Sequence, residues 1–474
     1  MKIDMTAVNR ILKNVVFYAD RNNSCIQYAE YTMPNGEEKF SNIEGEDFRA
    51  FLRISYANET GSDERLAESP IIQQLHDERR CYHEHEMVDV YHRTSGNLFE
   101  GIDYFMGGSS NEVIHVVSAG FQLSSQSNRK FIKRAGMLPQ VMPKRTDRDI
   151  FELLRPFVNI KDSAFKLFVI WLIQAFSCGA HYCVFLSAER GSGKSLLTHI
   201  VNKLVDPSPG EACSMSRNID DLETLLYTQY LVCFDNIDKA FSKEFSDTFC
   251  IAVTGGTVAR RKKFYDTDLV YLPLKNTLLF NGIGVAPKEA DLAERSLFFT
   301  MKKLDGKEIV PERELWEQFE RNRPKILWCI FDVLSKAMQV VASIHPERKA
   351  RLADAHIEML AIGQVLGISE EELDSLLKDS KKAMTEANLD EPVCRAVKEY
   401  MDQAEGRKLF GPSSEVFKKI KEVYSGCAGP LPNTAAMFGK RLNQMDGVLK
   451  DLGYRVLLDD TGARYNTITI IRSK

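Results

Sequence analysis

The feature that most constrains this chain of 474 residues is an eight-residue segment that joins an apolar strand to a helix. Its glycines permit a tight backbone turn, and the helix that follows begins with unpaired backbone N–H groups. A bound triphosphate needs such a loop, a helix N-terminus and one cation. The sequence therefore predicts a phosphate-binding loop formed by Ala188, Glu189, Arg190, Gly191, Ser192, Gly193, Lys194 and Ser195.

Two side chains of this loop have separate expected roles. Lys194 is expected to reach the β- and γ-phosphates of ATP, and the Ser195 hydroxyl is expected to bind Mg²⁺. The usual loop pattern has glycine where this chain has Ala188. If that position requires a positive φ, alanine costs on the order of 1 kcal/mol, whereas nothing is lost if it only ends the strand.

A second apolar strand, over 230–234, is followed by Asp235 and Asn236. Asp235 is predicted to complete the Mg²⁺ site, because such a strand delivers a carboxylate beside the phosphate loop. Asn236 stands where many ATPases have a glutamate; an amide can orient the attacking water but cannot accept its proton. Asp238 is an alternative catalytic base. The alternative to a Mg²⁺ site is that Asp235 is only a solvated aspartate at the end of a buried strand.

Two further residues complete the predicted catalytic set. Asn281 ends the apolar strand 277–280 and is predicted to sense the γ-phosphate, although Asn-Gly after a strand is also an ordinary turn. Arg295 precedes the strand 297–300 and is predicted to act as an arginine finger on a neighbouring subunit. The alternative for Arg295 is a salt bridge with Asp291 or Glu294.

The densest positive run in the chain follows the segment 254–257. Phosphate contacts explain its cations and base stacking explains the adjacent Phe264 or Tyr265, so this run is predicted to bind DNA. A solvated charged surface is the alternative. The predicted DNA-contacting residues of the run are Arg260, Arg261, Lys262 and Lys263.

The pattern of helices and strands predicts an α/β protein with four parts. Residues 1–148 form an α+β N-terminal domain without an assigned role, and 149–305 form the core with a parallel sheet. Residues 306–389 form a helical subdomain, and 390–474 have the winged-helix order of three helices and a hairpin. In this last part Lys440, Arg441 and Arg464 are predicted to contact DNA, with protein interaction as the alternative.

Composition excludes several classes of protein. A net charge of −4 excludes a histone-like binder, and ten cysteines without a Cys-x-x-Cys pair argue against a disulfide scaffold or zinc ribbon. His83, His85 and His92 match no known zinc spacing, so a metal site there is set aside. Without a signal peptide or a sufficiently long apolar run, the chain is expected to be cytoplasmic and not membrane-bound.

The order of these motifs from 188 to 295 resembles superfamily 3 helicases of the AAA+ class, including the poxvirus-type and phage primase-helicases. ATPases of prophages and mobile elements look similar through further segments, namely 153–159, 234–236, 254–256, 280–282, 291–295 and, more loosely, 410–414 and 431–434. The resemblance implies an AAA+ P-loop core and a homo-oligomeric ring, expected to be a hexamer, that translocates on or remodels DNA.

Two functional hypotheses are consistent with these residues. The first is a DNA-dependent ATPase, helicase-like, that acts on single-stranded or forked DNA during replication of a phage or mobile element. The second, motivated by Ala188 and Asn236, is a nucleotide-switched DNA-binding or assembly protein that serves initiation, regulation or antiviral defence without unwinding. A P-loop enzyme acting on a small molecule is a third class, for which the sequence offers no substrate-pocket signal.

Overall fold

The structure is a computed structural model that describes most of the chain. The described residues are 3–23, 26–61, 66–82, 86–108, 111–125, 127–134, 136–187, 191–237, 241–261, 269–282, 286–303, 310–347, 350–389, 391–404, 406–426, 428, 430–460 and 465–472.

The first part of the chain is a small sheet covered by helices. Asp4 caps the first helix by accepting hydrogen bonds from the backbone N–H groups of Thr6 and Ala7. The sheet has the order β3-β2-β1-β4, with β4 parallel to β1. The elements are α1 (Met5–Leu12), β1 (Val16–Asp20), β2 (Gln27–Thr32), β3 (Glu38–Asn42), α2 (Glu46–Thr60), α3 (Glu68–Tyr82) and β4 (Glu86–Val88).

A second, antiparallel sheet comes next along the chain, in the simple order β6-β7-β8-β9. Two short strands, β5 and β10, pair in parallel beside it. The elements are β5 (Val90–Tyr91), β6 (Thr94–Asn97), β7 (Gly101–Phe105), β8 (Val113–Val117), β9 (Gly120–Ser124) and β10 (Lys130–Phe131).

The middle of the chain alternates helices with short buried strands. Four strands form a parallel sheet in the order β12-β15-β11-β16, and Cys213 adds a parallel bridge to Phe234 of β12. Between β12 and β15 the chain makes an antiparallel hairpin, β13–β14. The elements are α4 (Ile150–Leu154), α5 (Asp162–Gln174), β11 (Cys183–Ser187), α6 (Lys194–Val205), α7 (Ile219–Thr228), β12 (Leu231–Ile237), α8 (Lys243–Thr254), β13 (Gly256–Arg261), β14 (Leu269–Leu274), β15 (Thr277–Gly282), α9 (Ala290–Ala293) and β16 (Ser296–Thr300).

Helices dominate the rest of the chain, which ends in a three-stranded sheet of order β17-β19-β18. The elements are α10 (Glu312–Val340), α11 (Ala353–Val365), α12 (Glu370–Asn388), α13 (Pro392–Gln403), β17 (Lys408–Pro412), α14 (Ser413–Val423), α15 (Ala435–Gln444), α16 (Asp446–Asp451), β18 (Tyr454–Asp460) and β19 (Tyr465–Arg472).

The C-terminal part differs from its sequence prediction in two places. The strand β17 was not predicted; it pairs with β19 and lies between α13 and α14. The third helix of the predicted winged-helix order is divided at Met445 into α15 and α16. The terminal hairpin, β18–β19, is present as predicted.

One hydrophobic core joins the antiparallel sheet to the helices and the parallel sheet. Its members run from Leu98 in the second sheet to Leu373 in α12. Ser335 and Gln339 of α10 donate side-chain hydrogen bonds to the carbonyl oxygens of Val117 and Ser118. This core therefore extends across residue 148, whereas a separate core, with members from Val8 to Leu75, lies within the first sheet and its helices.

Among the described residues, one helix (Glu312–Ser343) meets the length and composition requirements of a membrane span. Of its apolar window, 56% is buried inside the protein, as for a helix of a protein core.

A buried ion pair crosses this core. Arg93 Nε donates to Asp206 Oδ1 at 2.8 Å, and Arg134 Nη1 donates to Oδ2 at 2.7 Å; the side chains of Arg93 and Asp206 are 0% exposed. Burial alone would raise the pKa of Asp206, but the two guanidinium groups hold it below its usual value. Arg93 also donates to the carbonyl oxygens of three residues, Phe105, Leu138 and Pro207.

We expect Asp206→Ala to lower the free energy of unfolding by about 3–5 kcal/mol, because it leaves buried guanidinium groups without their counter-charge. Urea unfolding followed by tryptophan fluorescence measures the loss. Asp332→Ala, which removes an exposed pair with Lys336, is the matched control and should change stability little. Equal effects of the two substitutions would contradict this role of Asp206.

Candidate functional site

The carboxyl ends of three parallel strands bring the predicted site residues to one edge of the sheet. Ser187 ends β11 just before the predicted phosphate loop, and Gly282 follows Asn281 at the end of β15. Asp235 lies near the end of β12, on the other side of β15. Because carboxyl ends of parallel strands meet at one edge, residues distant in sequence form a single site there.

The loop after β11 has the backbone conformation that its glycines predicted. Gly191 has a φ of 78° and Gly193 a φ of 82°, both in the left-handed region that favours glycine. Gly193 is the N-cap of α6, and no side chain caps that end of the helix. The N-terminus of a helix is a general binding feature for anions, because its backbone N–H groups and the helix dipole favour negative charge. Ala188, Glu189 and Arg190 lie outside the described residues.

The first turn of α6 contacts β12, the strand that carries Asp235 and is called the acidic strand below. Ser195 Oγ donates a hydrogen bond to Asp235 Oδ2 at 3.2 Å. Burial lowers the pKa of Lys194, while the nearby Asp235 carboxylate acts in the opposite direction. The structure therefore brings together Lys194, Ser195 and Asp235, as the sequence predicted.

The side chains of Ser195 and Asp235 fit the first ligands of a magnesium ion. A hydroxyl and a carboxylate supply the hard oxygen ligands that Mg²⁺ prefers, and the ion usually takes its other ligands from water and phosphate. Within the described residues no cluster of three or more His, Cys, Asp or Glu side chains forms an all-protein metal site. His83 and His85 lie outside the described residues. Burial of the His92 ring, together with the nearby Arg134, lowers the pKa of His92 to about 4.

Asn281 is fully buried and held by two hydrogen bonds. Its Nδ2 donates to Thr198 Oγ1 of α6 at 2.7 Å, and its Oδ1 accepts from the backbone N–H of Asn236 at 3.2 Å. The amide therefore links the helix of the phosphate loop to the end of the acidic strand. Thr198 was not predicted as a site residue; only its position one turn after Lys194 signals it.

Asn236 has an unusual backbone conformation. Its φ is 55°, the one positive φ at a non-glycine position among the described residues. Its N–H also contacts Asp235 Oδ1 at 2.7 Å, and its side chain is exposed. Asparagine tolerates this conformation better than most residues. Asp238, the alternative base, lies outside the described residues.

Asn159 is a further site residue that the sequence prediction did not single out. Its Nδ2 donates to the carbonyl oxygen of Ser192 at 3.0 Å and to that of Lys302 at 2.8 Å. The backbone carbonyl oxygen of Asn159 accepts a hydrogen bond from the backbone N–H of Lys302 at 2.9 Å. Asn159 thus fixes the phosphate loop against the segment that follows β16. Its one sequence signal was its place in the segment 153–159 that supports the family resemblance.

Arg295 lies at the opposite edge of the sheet. Its carbonyl oxygen accepts from the N–H of Cys183, the first residue of β11, whereas the phosphate loop follows the last. A five-residue strand separates the two edges by roughly 16 Å. Arg295 forms the ion pair with Asp291 that was the alternative interpretation. Within one chain it does not join the other predicted site residues.

The first two residues of the positive run, Arg260 and Arg261, end the strand β13 of the hairpin. Arg260 Nη1 donates to the carbonyl oxygen of Asp220 at 3.0 Å and to Thr224 Oγ1 at 2.9 Å, so its side chain is fixed against α7. Arg261 is exposed. Lys262, Lys263, Phe264 and Tyr265 lie outside the described residues.

In the C-terminal part the three predicted DNA contacts have different surroundings. Lys440 is exposed on α15. Arg441 Nε forms an ion pair at 2.8 Å with Glu391, whose carboxylate also caps α13, so this arginine holds α15 to α13. Arg464 lies outside the described residues.

The middle of the chain is similar to a family of replication proteins. Residues 150–370 match the model of a family described as "Actinomycete integrative conjugative element replication protein". This match spans α4 to the start of α12 and contains the phosphate loop, Asp235, Asn281 and Arg295. It supports a likeness to mobile-element replication proteins rather than to superfamily 3 helicases in particular.

The other comparisons are more distant. No curated protein matches the chain. An apo structure of the NrS-1 C-terminal region, in its A form, is 11% identical with a TM-score of 0.41 and covers 99% of this chain and 98% of that one. Another apo structure of that region (305–718) is 10% identical, with a TM-score of 0.40 and the same coverage.

We expect Asn236→Val to destabilise the protein by about 1–2 kcal/mol, because a β-branched residue is strained at this positive φ. Asn236→Gly should keep or raise stability, since glycine adopts the conformation freely. Both substitutions remove an exposed side chain, so lost packing does not separate them. Thermal unfolding compares the two, and equal midpoints would contradict the assigned strain.

Proposed function

We propose that the chain is a DNA-dependent, helicase-like ATPase with an AAA+ P-loop core that unwinds DNA in the replication of a mobile element or phage. The observation that carries the proposal is the hydrogen bond from Ser195, in the first turn of α6, to Asp235 at the end of a neighbouring strand. It brings a hydroxyl, a carboxylate and Lys194 to a helix start that no side chain caps. The similarity of residues 150–370 to replication proteins supports the biological role.

In this proposal each side chain has a defined task. The N–H groups at the start of α6 and the Lys194 ammonium hold the phosphates, and Ser195 and Asp235 hold Mg²⁺. When bound, Mg²⁺ supplies positive charge that neutralises the phosphate oxygens. Asn281 couples the phosphate loop to the acidic strand through Thr198 and the N–H of Asn236.

Arg295 is proposed to act on the site of a neighbouring protomer in a ring, which we expect to be a hexamer. Its place at the far edge of the sheet supports this assignment, because it is too distant to serve the phosphate loop of its own chain. Acting in trans, it would stabilise the charge that develops during phosphoryl transfer.

DNA binding is proposed for the hairpin β13–β14 and for the C-terminal part. Arg261 is exposed at the end of β13, and Lys262 and Lys263 follow it in the sequence. The C-terminal order of helix, strand, three helices and hairpin supports a winged helix, in which exposed Lys440 is available to phosphates.

A second candidate is a nucleotide-switched DNA-binding or assembly protein that does not unwind DNA. The observation that favours it is Asn236: an exposed amide stands where a catalytic base is expected, and an amide accepts no proton. Strand displacement on a forked duplex separates the two candidates. Unwinding would exclude the second, and nucleotide-dependent assembly without unwinding would exclude the first.

We expect Lys194→Ala to abolish ATP turnover and Arg295→Ala to lower it by about a thousandfold, provided that Arg295 acts in trans. Mixing the two inactive variants should restore activity, because the intact phosphate site of one meets the arginine of the other. A phosphate-release assay measures all three samples, with Lys203→Ala, on the same helix, as the control. Unchanged turnover in Lys194→Ala would refute the proposed site, and a mixture that stays inactive would refute action in trans.

We expect Arg261→Ala to weaken binding of single-stranded DNA and to reduce the salt dependence of binding by about one phosphate contact. Fluorescence anisotropy at several salt concentrations measures both quantities. Arg313→Ala removes an exposed arginine from α10 and is the matched control. An equal salt dependence in the two variants would exclude the hairpin as the DNA contact.

A further inference from the structure

A cavity of about 600 Å³ lies at the edge of the parallel sheet opposite to the phosphate loop. Three parts of the chain enclose it: the first sheet with the segment 89–94, the end of α7 with residues 228–230, and the base of the hairpin β13–β14. Tyr230 and Lys275, which line it, precede β12 and β15, so the cavity is at the amino ends of these strands. Its volume is in the range of small-molecule sites.

The walls of the cavity are rich in flat aromatic side chains. Tyr28, Tyr91, Tyr227 and Tyr230 all line it. Aromatic faces of this kind stack on the base of a nucleotide without selecting a particular base. Tyr28 and Tyr230 are buried, whereas Tyr91 and Tyr227 are partly exposed, so the aromatic surface that a ligand would meet comes mainly from the latter two.

An uncompensated positive charge stands at the same cavity. Asp206 is shared by two guanidinium groups, those of Arg93 and Arg134, so one buried positive charge has no matching carboxylate in this group. Arg134 lines the cavity, its side chain is only 9% exposed, and its Nη2 has no hydrogen-bond partner among the described residues. A buried positive charge without a counter-charge is unfavourable, and a bound anion would offset that free-energy cost.

The carboxylates in the walls are already bonded. Asp20 accepts hydrogen bonds from the backbone N–H groups of Asn22 and Asn23 and from the Tyr28 hydroxyl, and burial raises its pKa. Asp89 is paired with Arg21. Lys275 adds an exposed cation to the lining. The charge left to meet a ligand is therefore positive.

We propose that this cavity binds a nucleotide carrying a phosphate monoester, with its phosphate on Arg134 and Lys275 and its base among the tyrosines. His92, also in the wall, has a buried Nδ1 without a hydrogen-bond partner among the described residues. The nucleotide is either a free mononucleotide or the 5′-phosphorylated end of a DNA strand, which present the same chemistry. The site is separate from the proposed ATP site and does not depend on it.

Calorimetric titration of full-length Lys194→Ala tests the proposal with the phosphate loop disabled. The probes are dAMP, a 5′-phosphorylated DNA trinucleotide and inorganic phosphate. We expect dAMP or the trinucleotide to bind at least tenfold more tightly than inorganic phosphate, and the tighter of the two identifies the source. Equal affinity for inorganic phosphate, or binding of none of the three probes, would overturn the proposal.

Two additional substitutions locate the site. Lys275→Ala changes an exposed side chain and should weaken nucleotide binding about tenfold, as should Arg134→Met, which leaves Asp206 paired with Arg93. Lys133→Met, next to Arg134 but outside the lining of this cavity, is the matched control and should bind normally. Unchanged affinity in Lys275→Ala would overturn the proposal even if Arg134→Met did not fold.

Discussion

The buried contact of Asp206 with Arg93 and Arg134 is the interaction on which the arrangement of the protein most depends. Asp206 directly follows α6, the helix that begins at the phosphate loop, whereas the two arginines belong to the segment before residue 148. Removing these charges from water is costly, and their mutual contacts, together with the carbonyl groups around Arg93, offset part of that cost. The pair therefore fixes the antiparallel sheet to the far end of the helix whose other end forms the candidate site.

The candidate site depends on hydrogen bonds that cross between elements rather than on any one motif. Asn159 holds the phosphate loop from one side, and Asn281 links α6 to β12 from the other. The side-chain amides of Asn159 and Asn281 each contact two partners. A displacement of the loop and α6 would therefore displace the end of β12 through Asn281. A change in the occupancy of the loop thus has a direct route to Asn236, whose strained backbone is part of the same group.

Local pattern predicted the strands and helices that build the site. The strand predicted over 230–234 and the helix predicted to follow the phosphate loop are present as β12 and α6, because short apolar strands alternate with amphipathic helices there. The positive φ values of Gly191 and Gly193 were likewise predictable, since a tight turn requires glycine. Contacts between distant residues were not predictable in this way. Neither the bond of Asn159 to the loop nor the shared core of the second sheet and α10 leaves a periodic signal.

The Asp291 carboxylate is paired with both Arg295 and Arg351. The second arginine lowers the free-energy cost of moving Arg295 away from it. Arg351 lies 2.9 Å from the same carboxylate, on the segment that precedes α11. If Arg295 swings outward toward another protomer, Asp291 keeps a cation beside it and no orphaned anion is left behind. If Arg295 acts in trans as proposed, its pair with Asp291 would therefore break at a lower cost than a pair without a second cation, and Arg351 would still join α9 to the segment before α11.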